Sequence, residues 1–139
     1  MRAFLDANII LDLIDRDRKS VDSTKEAIAH LIQNSYELYT SCDIFTTVYY
    51  VTSKHIESKV ILEELEKILL LVNVIPIDIK VIKESIEIAK ERGGDLEDVL
   101  QYVCAKKEMC ELIVSNDKSF YRDSIEVVEA KSVIKMKSR

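Results

Sequence analysis

The sequence contains very little glycine and proline, with two glycines and one proline among 139 residues. Linkers between domains are usually rich in these residues, so the composition leaves little room for a linker or a second domain. The 47% apolar and 32% charged content is typical of a globular protein, and a chain of this length can build one full hydrophobic core. We therefore predict a single domain over residues 1–139.

Other absences exclude further classes of protein. No apolar run approaches the roughly 20 residues of a membrane-spanning helix, so we expect no association with a membrane. The net charge of −5 argues against a generally basic surface for nucleic acid. A polyanionic partner would therefore require a local basic patch or bound metal ions.

The three cysteines, Cys42, Cys104 and Cys110, are odd in number and match no zinc-binding spacing. The sequence also shows no signal peptide. Together these features favour a reducing, cytoplasmic setting, in which we expect all three cysteines to be buried as small apolar residues.

Apolar patterning predicts strands that alternate with amphipathic helices. The predicted strands are short, at residues 2–6, 36–40, 72–75, 112–114 and 125–128. The predicted helices span residues 8–15, 23–33, 60–71, 78–92 and 96–109, and one more begins at residue 41 or 43. Strands separated by helices form parallel sheets that are covered on both faces. We predict an α/β fold of three layers, α/β/α, with a central parallel sheet of four or five strands.

Local signals predict where some of these helices begin and end. Ser23, followed by Glu26 three residues later, has the pattern of a capping box. Gly93 and Gly94 are typical of a helix C-terminus, and a basic tail over residues 131–139 ends the chain. The helix before the glycines is predicted to bury an apolar stripe made of Val81, Ile82, Ile86 and Ala89.

Three aspartates occupy related positions in this predicted fold. Asp6 ends the first strand, and Asp117 lies three residues after Val114, in the loop that leaves the fourth strand. Asp98 lies in the first turn of the helix that leads into that fourth strand. If strands one and four are neighbours, these positions meet at a topological switch point, where open α/β sheets bind ligands. Three carboxylates in one cleft repel one another, and a hard divalent cation such as Mg²⁺ or Mn²⁺ relieves the repulsion.

Each aspartate also has a purely structural interpretation. Asp6 could cap the helix that follows it, and Asp117 could be an ordinary turn residue. Asp95 has the position of an N-cap, which places Asp98 where any acidic side chain gains from the helix dipole. The functional interpretation depends on the three acids occurring together with polar companions that suit the ordering of ligands or waters, namely Asn8, Ser115 and Asn116.

Four segments, in order and with similar spacing, resemble the sequence blocks of the PIN domain family. They are FLDANIILD at residues 4–12, TSCDIFTTVYY at 40–50, DLEDVLQ at 95–101 and IVSNDKSF at 113–120. The resemblance covers essentially the whole chain. It implies a metal-dependent nuclease fold, in which Asp6, Asp98 and Asp117 bind metal and Asn8 and Ser115 support them.

The second of these blocks departs from the family pattern. The family usually carries a glutamate where this sequence has Thr47, so three formal negative charges are expected where four are usual. Asp43, one helical turn earlier, could compensate directly or through water, or it could simply be a cap or a solvated residue. Glu97 is rotated by about 100° from Asp98 on a helix, and we predict that it faces solvent.

The resemblance implies hydrolysis of RNA phosphodiester bonds by a metal-activated water, and single-stranded RNA is the expected substrate. Compact bacterial and archaeal members of the family are mostly VapC-type toxins, which implies an antitoxin partner and a homodimer. No side-chain nucleophile is required, and His30 and His55 are predicted to be structural or solvated. Several lysines are candidates for the rim of the cleft, and each could equally be a solvated surface charge: Lys54, Lys106, Lys107, Lys118, Lys131, Lys135 and Lys137.

Two hypotheses from different classes remain open. The first is an active endoribonuclease, the toxin of a type II toxin–antitoxin pair, which the three aspartates favour. The second is a catalytically weak or inactive PIN-fold module that binds or regulates, which Thr47 favours. A phosphatase is less favoured, because such enzymes need a second acid two residues after the first and this chain has Asn8 there.

Overall fold

Five strands and seven helices form in residues 1–136, the part of the chain that this computed structural model describes. In chain order they are β1 (Arg2–Leu5), α1 (Ala7–Ile14), α2 (Val21–Gln33), β2 (Glu37–Ser41), α3 (Asp43–Thr52), α4 (Ser58–Leu71), β3 (Asn73–Ile75), α5 (Ile79–Arg92), α6 (Leu96–Lys107), β4 (Leu112–Val114), β5 (Glu126–Val128) and α7 (Ala130–Val133). The alternation of short apolar strands with amphipathic helices is the one predicted from the sequence.

The five strands form one parallel sheet in the order β3-β2-β1-β4-β5. The central strand β1 and its neighbour β4 are buried along almost their whole length because helices cover both faces of the sheet. This confirms the predicted three-layer α/β/α fold. Among the helices of residues 1–136, none combines the length and the apolar character needed to cross a lipid bilayer.

The strand order creates a switch point between β1 and β4. The chain moves outward from β1 through β2 to β3, then returns to the other side of β1 to form β4 and β5. Because crossovers between parallel strands are right-handed, α1 to α4 lie on one face and α5 and α6 on the other. The contacts of α1 with α2, α3 and α4, and of α5 with α6, agree with this arrangement.

A buried aspartate ties α1 to the turn and helix that follow. The Asp12 side chain is fully buried and accepts hydrogen bonds from Arg18 Nε at 2.7 Å, Thr24 Oγ1 at 2.6 Å and Ser20 Oγ at 2.8 Å. A buried carboxylate is tolerated only with such partners. The charged segment after α1 is therefore an ordered turn, which His55 also holds through a 2.8 Å contact with Asp15.

The predicted start of the second helix, at Ser23, is wrong. α2 begins at Val21 with Ser20 as its N-cap, so Ser23 lies inside the helix, where its hydroxyl donates to the Ser20 carbonyl at 3.0 Å. The predicted capping box of Ser23 and Glu26 therefore does not start this helix.

At the other end of the chain, the predicted basic tail begins with the short helix α7, and Lys137 lies outside the described residues.

The apolar stripe predicted for α5 is only partly right. Val81 and Ser85 are buried, but Ile82 and Ile86 are 38% and 44% exposed. The reason is that α5 packs mainly on α6, and one neighbouring helix covers only a narrow stripe. Exposed apolar side chains thus remain on the outer side of α5.

The cysteines differ in their surroundings. Cys104 and Cys110 are buried as predicted, and burial raises the pKa of each thiol to about 12. The prediction is wrong for Cys42, which is exposed at the N-cap of α3. All three are free thiols.

Candidate active site

Asp6 stands at the switch point, immediately after β1. Its backbone N–H donates to the Val114 carbonyl at 3.0 Å, which continues the pairing of β1 with β4. Its carboxylate is buried and accepts a hydrogen bond from the Ala7 N–H at 2.7 Å, as the N-cap of α1. The capping role considered for Asp6 is therefore real, and it leaves the second carboxylate oxygen for other partners.

That second oxygen is held by the two side chains predicted to support it. Ser115 Oγ donates to Asp6 Oδ2 at 2.6 Å and Asn8 Nδ2 donates to the same atom at 2.8 Å. Burial raises the pKa of Asp6, the hydrogen bonds from Ser115 and Ala7 oppose this, and the charges of Asp117 and Glu97 raise it further. The Asp6 carboxylate is thus fixed in position in a negative environment.

The amide side chains link three loops to one another. Asn8 Oδ1 accepts a hydrogen bond from the Asn116 backbone N–H at 3.1 Å, and Asn116 Oδ1 accepts one from the Ala130 N–H at 2.9 Å. The loops after β1, β4 and β5 are thereby held together at the carboxyl edge of the sheet. Asn8, Ser115 and Asn116, which the sequence grouped with the acids, lie beside Asp6 as expected.

Asp117 lies at the exposed side of this edge. Its backbone N–H donates to Ser115 Oγ at 3.1 Å, and its Oδ1 accepts hydrogen bonds from the N–H and the hydroxyl of Ser119 at 2.9 and 2.7 Å. Asp117 is therefore a turn residue, the structural role considered for it. Its charge also raises the pKa of both Asp6 and Asp98.

Asp98 approaches the cleft from the first turn of α6. Asp95 caps this helix by accepting a hydrogen bond from the Asp98 N–H at 3.2 Å, as predicted. Partial burial, followed by the charges of Asp6, Asp95, Asp117 and Glu97, raises the pKa of Asp98 to about 7. Within the described chain, the Asp98 carboxylate accepts no hydrogen bond that would relieve this repulsion.

The donor set of the cleft consists of carboxylate, hydroxyl and amide oxygens, which suit a hard divalent cation. Across residues 1–136, however, no three acidic, histidine or cysteine side chains already stand close enough together to grip an ion. The charges of these acids raise one another's pKa, and a cation that keeps part of its water shell would relieve this repulsion.

Two acids near Thr47 depart from their predicted positions. Glu97 does not face solvent: it is partly buried, and Thr47 Oγ1 donates to its Oε1 at 3.1 Å. Asp43 lies in the first turn of α3 rather than at its N-cap, and its carboxylate accepts hydrogen bonds from Ser41 and, at 3.4 Å, from Gln101 Nε2. The prediction that Glu97 faces solvent is wrong because α3 occupies the space toward which Glu97 points.

Gln101 is a site residue that the sequence analysis missed. It is buried one turn after Glu97, and its Nε2 donates to Glu97 Oε1 at 3.3 Å as well as to Asp43. The sequence feature that could have predicted it is a polar side chain four residues after Glu97, on a helix whose other inner residues are apolar.

The lysines considered for the rim are mostly engaged elsewhere. Lys106 and Lys107 pair with Glu84 and Asp78 at 3.7 and 3.6 Å, and they lie roughly 12 Å along α6 from Asp98. Lys131 pairs with Glu129 at 3.3 Å, and Lys54 lies over the Tyr50 ring. Lys118 directly follows Asp117 in the chain and is the candidate nearest to the cleft in sequence.

Comparison with known proteins gives a consistent result. A PIN domain matches residues 3–124. The chain is 43% identical over 129 residues to Ribonuclease VapC1 of Aquifex aeolicus (strain VF5), which covers 91% of this chain and 89% of that protein.

Two solved structures share the fold at low sequence identity. VapC20 of Mycobacterium tuberculosis, a toxin that cleaves the sarcin–ricin loop, has a TM-score of 0.71 and 13% identity over 85% of this chain and 92% of its own. VapBC2 of Rickettsia felis, bound to a DNA fragment from the promoter, has a TM-score of 0.70 and 21% identity over 93% of this chain and 98% of its own.

Proposed function

This chain belongs to the PIN domain family, and we propose that it is a metal-dependent endoribonuclease, the toxin of a type II toxin–antitoxin pair. The observation that carries the proposal is the position of Asp6 and Asp117 after the neighbouring strands β1 and β4, with Asp98 near enough for their charges to add to the burial that raises its pKa to about 7. The 43% identity to Ribonuclease VapC1 supports the reaction class. The whole of residues 1–139 is taken as a single PIN domain.

We propose that Asp6, Asp98 and Asp117 hold the ion, either Mg²⁺ or Mn²⁺. When bound, such an ion lowers the pKa of a water molecule and stabilises negative charge on the leaving oxygen. The protein's part is to hold the acids in place. Ser115 and Asn8 fix one oxygen of Asp6, and the Asp95 cap fixes the first turn of α6, which carries Asp98.

RNA is the proposed substrate, and a single-stranded segment is favoured because its backbone can enter a cleft at the edge of the sheet. The protein's net charge of −5 opposes the approach of a polyanion. The cation therefore has a second purpose, which is to offset the charge of the acids where a phosphate must bind. A cytoplasmic location is part of the proposal, because RNA and a partner antitoxin would both be met there.

The first test is cleavage of single-stranded RNA by the purified protein with Mg²⁺ or Mn²⁺, beside an Asp6→Asn variant. Asp6→Asn keeps the shape of the side chain and removes its charge. The loss of several kcal/mol of transition-state stabilisation should slow cleavage by at least about a hundredfold. Equal cleavage by both proteins would mean that a contaminant cleaves the RNA, and it would refute the proposal that this protein is the enzyme. Gel analysis of end-labelled RNA measures the rate.

The second candidate function is that of a PIN-fold module that binds without cutting, and Thr47 is the observation that favours it. The same assay distinguishes the two functions. A wild-type protein that fails to cleave RNA with either ion, while remaining folded, would favour the binding module.

We further propose an antitoxin and a second copy of this chain as partners. Solved structures that share the fold, among them a toxin–antitoxin complex from Klebsiella pneumoniae, support the first. The second is supported by apolar side chains left exposed on the outer side of α4, namely Leu62, Leu69 and Leu70. The inner residues of α3 and α4, including Ile44 and Leu65, belong to the core of the single chain instead.

A further inference from the structure

We propose that Glu97 supplies the fourth carboxylate of the metal site, in place of the glutamate that the second sequence block lacks at Thr47. The inference rests on the proposed metal-dependent function and assigns one more residue to the same site. Thr47 and Gln101 are then positioning residues, which act by holding Glu97.

The first support is the contact between α3 and α6. Thr47 Oγ1 donates to Glu97 Oε1 at 3.1 Å across a gap of fifty residues in the chain. A glutamate at position 47 would bring a second carboxylate to this point, and two like charges at such a distance repel strongly. Threonine is short and donates a hydrogen bond, so it leaves room for the carboxylate of Glu97 and binds it. In this proposal a carboxylate on α6 replaces the one that the family usually carries on α3.

The second support is the orientation of Gln101. Its Nε2 lies 3.3 Å from Glu97 Oε1 and 3.4 Å from Asp43 Oδ2, so the amide donates to two carboxylates. The opposite orientation would set its oxygen against both. In residues 1–136 the buried Gln101 Oε1 has no hydrogen-bond partner, and an unpaired buried polar atom destabilises a fold. Gln101 is thus oriented to hold Glu97 rather than to satisfy its own oxygen.

The third support is that Glu97 keeps one carboxylate oxygen open. Thr47 and Gln101 both donate to Glu97 Oε1, so within residues 1–136 Oε2 accepts no hydrogen bond from the protein. Asp43, the other acid considered as a substitute, has both oxygens occupied, because Ser41 donates to Oδ1 and Gln101 donates to Oδ2. The described structure therefore favours Glu97 over Asp43 as the replacement.

The test is Mn²⁺ binding to the full chain, measured by titration calorimetry without RNA. Glu97→Gln should weaken Mn²⁺ binding by about tenfold or more, which is the loss typical when a supporting group of a metal site is removed. Thr47→Val keeps every charge and removes the hydrogen bond, so it should cause a smaller loss. The double variant Thr47→Glu with Glu97→Thr, which moves the carboxylate back to α3, should recover most of the affinity.

The matched control is Glu66→Gln, which removes the same charge from an exposed position on α4 and should leave Mn²⁺ binding unchanged. Circular dichroism checks that each variant is folded. If Glu97→Gln does not fold, Thr47→Val and the double variant still test the inference. It is overturned if Thr47→Val binds Mn²⁺ as tightly as wild type does and the double variant does not bind it.

Asp6→Asn separates failure of this inference from failure of the proposed function. If Asp6→Asn loses Mn²⁺ binding while Glu97→Gln binds as wild type does, the inference about Glu97 is overturned and the proposed metal site stands. If wild type and Asp6→Asn bind Mn²⁺ equally weakly and neither cleaves RNA, the proposed function fails as well.

Discussion

The Asp98 carboxyl group connects the chemistry of the cleft to the stability of the metal-free protein. Its pKa is about 7 in the folded chain against an ordinary value of 3.8, chiefly because of burial and then because of the neighbouring acids. The folded state therefore holds this proton more tightly than the unfolded state does. The resulting stabilisation is complete below the ordinary pKa of 3.8 and is lost as the pH rises through about 7.

We predict that Asp98→Asn, which cannot ionise, becomes more stable relative to wild type as the pH rises from 5 to 8 without metal. The difference in Tm between the two proteins should shift by roughly 2–4 °C, because the side chain is partly exposed and solvent screens the repulsion. Differential scanning fluorimetry in EDTA measures it. Glu66→Gln, which removes an exposed acid, should show a flat difference, and a flat difference for Asp98→Asn would contradict the prediction.

Single residues of the site could be predicted from the sequence where a strand end or a helix cap fixes them. Asp6, Ser115 and Asp117 follow directly from β1 and β4, so their positions depend only on which strands are neighbours. Glu97 was misplaced because its environment is set by α3, about fifty residues away in the chain. A helical rotation gives the direction of a side chain and does not say which element occupies that direction.

At the scale of secondary-structure elements, the Asp12 carboxylate decides where α2 begins. It accepts hydrogen bonds from the hydroxyls of Ser20 and Thr24, at 2.8 and 2.6 Å. The Ser20 hydroxyl is thus occupied and does not cap the helix through its side chain. The sequence signal of Ser23 and Glu26 is local, and the buried contact with α1 overrides it.

We predict that Thr24→Val lowers the free energy of unfolding by about 2 kcal/mol, because the substitution keeps the shape and removes a 2.6 Å hydrogen bond to a buried carboxylate. Thr46→Val is the matched control, since its hydroxyl donates to the Asp43 carbonyl at the surface, and it should change stability by less than about 0.5 kcal/mol. Urea titration followed by circular dichroism gives both values. Equal stabilities of the two variants would mean that the Asp12 network does not stabilise the fold.

At the scale of the whole molecule, the sheet order was the step on which the site depended. The sequence predicts parallel strands between helices, and the placement of β1 beside β4 was a condition that the pattern alone could not supply. The strand order β3-β2-β1-β4-β5 meets that condition. It brings together the loops after β1 and β4, which lie more than a hundred residues apart in the chain, as the Ser115 to Asp6 hydrogen bond shows.

The outer side of α4 tests the proposed homodimer, because it carries apolar side chains that residues 1–136 leave exposed. Leu70 is 90% exposed, and Leu69 beside it is 55% exposed. We predict that wild type is dimeric in light scattering after size exclusion, and that Leu70→Glu shifts it toward the monomer at micromolar concentration. A charge placed in the centre of an apolar interface must be desolvated without a partner, which opposes association.

The stability of the folded monomer should hardly change in Leu70→Glu, since substitutions at exposed positions usually lie within about 0.5 kcal/mol of wild type. Ile134→Glu is the matched control, because Ile134 is 45% exposed at the C-terminal end of α7, which packs on α2 and follows the edge strand β5. It should leave the dimer intact. Dimers that persist in Leu70→Glu and dissociate in Ile134→Glu would move the interface from α4 to the region of α7. A wild type that is monomeric at every concentration would refute the homodimer. The exposed face of α4 would then be assigned to a different partner, and a comparison of antitoxin binding by wild type and by Leu70→Glu would test it.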